Sequence, residues 1–437
     1  MSHMKNAAAG DGRTYLHGFG NQFESEAAAG TLPFGMNSPK TLPHGLYAEQ
    51  LSGTAFTANR SENRRTWLYR KRPSINEAPQ EPYTCDGTWL TAPLRDGVLD
   101  PRTLRWRPIV SRGEHDFISS LTTIGANGSA PDQVGCAVHI YHARRSMEDT
   151  AFCNSDGELL VVPQQGRLDV QTELGWLTVR PGEIVLIPRG LYFRIVLPDG
   201  EARGYALENY GPAFRLPELG PIGANGLANQ RDFQCPVAAF DIEERNYRVI
   251  TKFSGSFWSR QLGHSPFNVA AWHGNLVPFK YDLERFNVFG SVSYDSPDPC
   301  ISTVLTSPSP QPGTAYIDFV AFPPRWQVAD DTFRPPFFHR NVMTEFMGLV
   351  QGIYEGKADG FLPGGFSLHS CMAPHGPDHD TYTHGTQEAS MPNKLQGTLA
   401  FMFETKLPLY LNPAILNWPE LDRNYTSSWK GFAPADI

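Results

Sequence analysis

The sequence predicts a mainly β protein, and three observations carry that reading. Glycine and proline supply 40 and 37 of the 437 residues, so turns are frequent and long uninterrupted helices have little room. Charged residues make up only 19% while 40% are hydrophobic and 12% aromatic, the balance of a globular chain with a large core. Short β-branched and aromatic runs recur about every ten residues between glycine and proline, which is the rhythm of a β-sandwich or jelly roll.

In chain order, residues 1–60 are rich in Gly, Pro, Ser and Asn without a sustained period, so they read as an extended N-terminal arm laid over other elements. A β-sandwich or jelly-roll domain is expected over 61–280 and a second β domain over 281–437. Thr66-Trp67-Leu68-Tyr69 and Ala137-Val138-His139-Ile140-Tyr141 fit strands, while 71–112 looks irregular. From Gly157 the strands become regular: 158–163, 166–172, 176–179 and 182–190, each closed by a glycine or proline. The last of these, Pro181-Gly182-Glu183 through Ile187-Pro188-Arg189-Gly190, resembles the turn and strand of a cupin barrel. Metal-binding cupins carry histidine in the preceding segment, but Phe152-Cys153-Asn154-Ser155-Asp156-Gly157 has none, so this half is expected to be metal-free. A Gly- and Asn-rich connector follows at 220–226, and a short helix is expected over 419–425.

The 37 Lys and Arg against 45 Asp and Glu give a formal charge of −8, and no basic run exceeds pairs such as Arg64-Arg65 and Arg144-Arg145. Binding to nucleic acid through phosphate neutralisation is thereby disfavoured. No apolar stretch reaches the ~18 residues of a membrane span, and the opening Met-Ser-His-Met lacks a secretory apolar region, so a soluble, cytoplasmic protein is expected. That opening resembles an expression-vector scar and is left out of fold reasoning. Cys85, Cys136, Cys153, Cys235, Cys300 and Cys371 show no paired spacing and read as reduced thiols acting as small buried hydrophobes.

The chemistry is concentrated between 339 and 384, which holds five of the 13 histidines. His339 and Glu345 are six residues apart, and on one strand that even spacing would aim both at the interior of a barrel. A third donor is available in 361–378, which contains His369 and His375. Two histidines and one carboxylate form the facial set that holds Fe(II) and leaves positions open for substrate and oxygen, with zinc as the chemical competitor. His379 and His384 read as solvated residues of a polar loop.

At these residues a family resemblance becomes specific. Phe322-Pro323-Pro324-Arg325-Trp326, Thr332-Phe333-Arg334-Pro335-Pro336, His339-Arg340-Asn341, Glu345-Phe346-Met347-Gly348-Leu349 and Pro374-His375-Gly376-Pro377-Asp378 resemble the homogentisate 1,2-dioxygenases. The likeness extends to Gly18-Phe19-Gly20-Asn21, Pro221 through Asn229, and Ala271-Trp272-His273-Gly274, and so covers nearly the whole chain. It implies an N-terminal β-sandwich and a C-terminal cupin-like domain, assembled as a homo-hexamer of two trimers. It further implies Fe(II) on His339, Glu345 and His375, with Tyr354 beside His375 at the substrate. The implied reaction is extradiol-type ring cleavage of homogentisate by O₂ to maleylacetoacetate in tyrosine and phenylalanine catabolism. One departure stands out. The family places a histidine base in an Asp-His-x-Asp-Pro segment, whereas this chain has Ser296 within Tyr294-Asp295-Ser296-Pro297-Asp298-Pro299. A serine hydroxyl does not take up a proton near neutral pH, and loss of a positioned base costs roughly 10²–10⁴-fold. Ser296 is consistent with an engineered replacement, with a relative cleaving another carboxylated hydroquinone such as gentisate, or with a different catalytic group such as His369. A homologue that binds an aromatic ligand without cleaving it is the reading from another class, and it predicts binding without oxygen consumption.

Overall fold

The computed structural model describes residues 12–437 except 76–77, 86–87, 111–112, 219–227, 242, 289–301, 328–329, 357–359 and 389–390. Ser296 and the 220–226 connector therefore lie largely or wholly outside the described residues. The mainly β class is what the structure shows: strands dominate, gathered into sheets of nine, seven, six, four and two strands.

The stretch read as regular from Gly157 is a pair of facing sheets. Strands Glu158–Gln165, Glu183–Ile187 and Ala202–Asn209 belong to the nine-stranded sheet, while Leu168–Thr172, Gly175–Val179 and Tyr192–Val196 belong to the seven-stranded one. The turns are where glycine placed them. At Gly166 the backbone is left-handed, with φ 74°, and an added Cβ would sit 2.0 Å from the Glu201 carbonyl oxygen. Between the sheets one apolar core runs through Phe152, Val161, Leu177, Val185, Phe193 and Leu207, all at 0% exposure.

That apolar interior also contains a charged network. Lys252, on the seven-stranded sheet, donates from Nζ to Asp156 Oδ2 at 2.7 Å and to Glu208 Oε1, on the nine-stranded sheet, at 2.8 Å. Glu208 Oε1 also accepts from Asn154 Nδ2 at 2.7 Å, and Oε2 accepts from the Trp89 indole at 2.9 Å and the Tyr210 hydroxyl at 3.3 Å. His139 Nε2 lies 3.2 Å from the same oxygen. Burial alone would raise the Glu208 carboxyl, but the Lys252 ammonium and the His139 contact hold it well below the usual carboxylate range.

The arm is woven into the sheets rather than merely laid over them. Tyr15–His17 pairs with Gln234–Pro236 at the edge of the nine-stranded sheet, and Phe23–Glu26 and Tyr47–Ser52 flank the four-stranded sheet. Two strands also cross the expected border near 280. Leu104–Trp106, inside the region read as irregular, joins the six-stranded sheet by pairing with Phe366–His369, and Tyr410–Leu411 pairs back onto Thr122–Ser129. The five described cysteines are free: Cys136, Cys153 and Cys235 are buried, and burial pushes the Cys153 and Cys235 thiols up to about 12.

Two local expectations are corrected. His379 and His384 lie in an α-helix, His379–Gln387, rather than a loop; Asp378 caps its N-terminus by accepting from Thr381 N–H at 2.8 Å. No helix forms over 419–425; short 3-10 turns flank it instead at Pro413–Asn417 and Tyr425–Trp429. Among the described residues no helix is long and apolar enough to cross a membrane.

Candidate metal centre

The six-stranded sheet runs Thr303–Pro308, Ala315–Phe322, Leu399–Thr405, Thr344–Gln351, Phe366–His369, Leu104–Trp106. Its registers set Thr306 opposite Asp318, Asp318 opposite Glu404, Glu404 opposite Glu345, and Glu345 opposite His369. Directly opposed residues share a face, so these polar side chains form one row across the sheet.

His339 is not on the Glu345 strand, which corrects the expected geometry. A turn separates the two, and strand Thr344–Gln351 begins only one residue before Glu345. His339 instead forms an antiparallel bridge with His375: its N–H donates to the His375 carbonyl at 2.9 Å, and the return bond is 3.1 Å. The even spacing was therefore the wrong reason for a proximity that does exist. Gly376 allows the close approach of these two loops, since a Cβ there would lie 2.9 Å from the Phe338 Cα.

The imidazoles are oriented by backbone. His339 Nδ1 lies 2.7 Å from the Phe337 carbonyl and His375 Nδ1 lies 2.9 Å from the Ala373 carbonyl. Each Nδ1 can only donate to a carbonyl, which leaves Nε2 of both rings free to face Glu345 and, once without its proton, to bind a metal. Nε2 of His375 is 3.0 Å from Glu345 Oε2, and Nε2 of His339 is 3.9 Å from Oε1. One donor atom from each of the three residues lies within 4.8 Å of the others. Two imidazoles and one carboxylate converging at this separation fit a divalent transition metal. Burial would raise the Glu345 carboxyl, but His369 and His375 hold it well below the usual range.

His369 stands behind this group. Its ring stacks on His375 at 4.1 Å, its Nδ1 is 3.5 Å from Glu345 Oε2, and its Nε2 is 3.0 Å from the Tyr425 hydroxyl. Arg105, from the exchanged strand, lies over the Tyr425 ring at 4.4 Å and pairs with Asp422. Tyr354 sits elsewhere: it is buried among Phe322, Met347, Leu349, Phe361 and Met402, an apolar cluster on the face of the sheet that carries Glu345.

Sequence reasoning did not single out Asn341 or Glu404. The Asn341 amide donates to Glu345 Oε1 at 3.1 Å and to Glu404 as well, while its Oδ1 accepts from Met343 N–H. Asn341 had a signal, since it directly follows His339-Arg340 in a quoted motif; Glu404, in an apolar run, had none. Burial pushes the Glu404 carboxyl up to about 7, with the neighbouring Glu345 and Asp318 adding to the rise. The two opposed carboxylates are thus driven apart in proton affinity, and Glu345 is the anionic one.

A cavity of about 440 Å³ opens onto His339 and His375, walled by Phe338, Arg340, Pro374, Trp429 and Phe432. The C-terminal turn supplies part of this wall because the Trp429 indole donates to the Pro377 carbonyl at 3.1 Å.

The fold and this group define a mainly β protein built around a candidate mononuclear metal centre. The chain belongs to the homogentisate 1,2-dioxygenase family: the family's N-terminal domain matches residues 14–283 and its C-terminal domain matches residues 284–435. Solved structures similar to it include a cupin 2 conserved barrel domain protein from Leptotrichia buccalis, 7% identical over 68% of this chain and 91% of that one, with a TM-score of 0.28. Quercetin 2,3-dioxygenase from Acinetobacter baumannii is 9% identical over 72% and 85% of the two chains, with a TM-score of 0.24.

Proposed function

We propose that this chain is an Fe(II)-dependent dioxygenase that opens the ring of homogentisate with O₂ to give maleylacetoacetate, in the cytoplasmic breakdown of tyrosine and phenylalanine. The observation that carries the reading is the convergence of His339, Glu345 and His375, both imidazoles anchored through Nδ1, in a chain matched from 14 to 435 by one dioxygenase family. His339, Glu345 and His375 would hold the metal, which when bound would supply the oxygen chemistry and acidify the phenol. The protein's own part is positional. Asn341 fixes Glu345 Oε1, and His369, itself held by Tyr425, supports Oε2. The aromatic walls of the cavity exclude water around a flat ring. A homo-hexamer of two trimers belongs to the same proposal, and light scattering that returned a monomer would count against it.

The decisive experiment is anaerobic loading with Fe(II), followed by oxygen-electrode traces with homogentisate and gentisate for this chain and its Ser296→His variant. Faster uptake with homogentisate by the variant, by roughly 10²–10⁴-fold, is the expected result if the family's base position is vacant here. Equal uptake by both would make the base dispensable. Uptake with gentisate alone would shift the substrate, and uptake by neither, with homogentisate still bound, would favour a homologue that binds without cleaving.

A further inference from the structure

We propose that Arg340 is the anion-recognising residue of the cavity and makes it select aromatic ligands that carry a carboxylate over neutral ones. The inference rests on the ring-cleavage reading and adds to it the group that sets substrate charge.

Among the described residues that line the cavity, Arg340 is the one arginine or lysine, and none is a carboxylate. The other walls are the rings of Phe338, Trp429 and Phe432 and the edge of Pro374, so the cavity offers an apolar slot with a single positive pole. Such a slot fits a flat ring bearing one negative group. The backbone at Arg340 is fixed, because its neighbour His339 is bridged to His375 by two hydrogen bonds of 2.9 and 3.1 Å. The origin of the side chain therefore keeps a constant distance from the candidate metal ligands.

The guanidinium is also uncommitted. Arg105 is paired with Asp422, Arg325 with Glu355, and Arg334 donates to the Met391 carbonyl. Arg340 is exposed and makes no hydrogen bond or ion pair with any described residue. An exposed arginine stays hydrated at little cost, and its planar fork is suited to bidentate capture of a carboxylate that enters beside it. A carboxylate arm a few bonds long on a ring held at His339 and His375 would reach it.

The test is anaerobic calorimetry on the full chain, metal-free and Fe(II)-loaded, with homogentisate and with uncharged methylhydroquinone. Arg340→Gln is expected to weaken homogentisate roughly 10- to 100-fold, the loss of charge-assisted hydrogen bonds, and to leave methylhydroquinone unchanged. Arg340→Lys, which keeps the charge and loses the fork, should fall between. Unchanged metal content and methylhydroquinone affinity in Arg340→Gln show that the His339 loop is intact. Homogentisate binding to Arg340→Gln within about twofold of the parent overturns the role of Arg340 and leaves the ring-cleavage reading standing. Equal weakening of both ligands makes Arg340 a structural support and overturns the proposal as well. Failure of the Fe(II)-loaded parent to bind either ligand overturns both readings together.

Discussion

Glu345→Ala is expected to cost the protein more than about 100-fold in Fe(II) affinity and, with it, all measurable oxygen uptake. Glu345 supplies the negative charge of the donor set, since an imidazole that binds a metal does so as a neutral ligand, and the Phe337 and Ala373 carbonyls orient His339 and His375 through Nδ1. Without it two neutral donors remain, and neighbouring Glu404 cannot replace it. Glu404 is pushed up to about 7 by burial and is held by Asn341, so taking up a metal there would require removing a proton and breaking that contact. Asn341→Ala provides the graded comparison. It leaves the three donors and removes the amide that holds Glu345 Oε1, together with its contacts to Glu404 and to the Met343 N–H, so a loss of about 10- to 100-fold is expected, as for other groups that orient a ligand. Anaerobic titration with Fe(II), read by metal content after dialysis, measures both. Full metal content in Glu345→Ala would remove Glu345 from the ligand set.

How much of this was legible in the sequence depends on where the information is stored. Strand rhythm over 158–190 could be read because glycines such as Gly166 mark turns that other residues cannot make, a property of the local chain. The donors His339, Glu345 and His375 could be read from residue type and motif, but not their geometry. His339 reaches Glu345 through a bridge to a residue thirty-six positions on, and no strand periodicity encodes that pairing. The His379–Gln387 helix was missed because its buried face is empty: none of its residues is buried, so it lacks apolar periodicity, and the only signal was Asp378 as a cap. The exchanged strand Leu104–Trp106 was read as irregular because three residues cannot display an alternation. The Lys252 network was invisible for a further reason. Its members at 89, 139, 154–156, 208–210 and 252 come from five stretches far apart in the chain, and nothing within any one stretch signals the others.

Lys252 carries the largest expected effect on stability. Lys252→Met should destabilise the protein by about 3–5 kcal/mol, because it leaves Asp156 and Glu208 as like charges in a dry core. Methionine matches the lysine stem, so little of that loss comes from a cavity. The cause can be separated from lost packing by pH. In the parent, the ammonium holds Glu208 well below its ordinary value, so the pair contributes stability that is present above the unfolded carboxylate range and is lost as pH falls. In the variant the sign reverses. Without the ammonium, burial raises the folded pKa of Glu208 above its unfolded value, so the folded state binds the extra proton and stability falls as pH rises from about 4. The parent and variant should therefore differ most near pH 7 and converge toward pH 4–5 in urea or thermal unfolding. Glu208→Gln added to Lys252→Met removes one of the two stranded charges and should recover about 1–3 kcal/mol at neutral pH. A pH-independent loss, or no recovery in the double variant, would show that the methylene stem of Lys252 and not its charge joins the two sheets. The expected result instead makes the ammonium an internal counter-ion, holding together the two sheets of the half in which no histidine precedes the Gly182–Gly190 turn and strand.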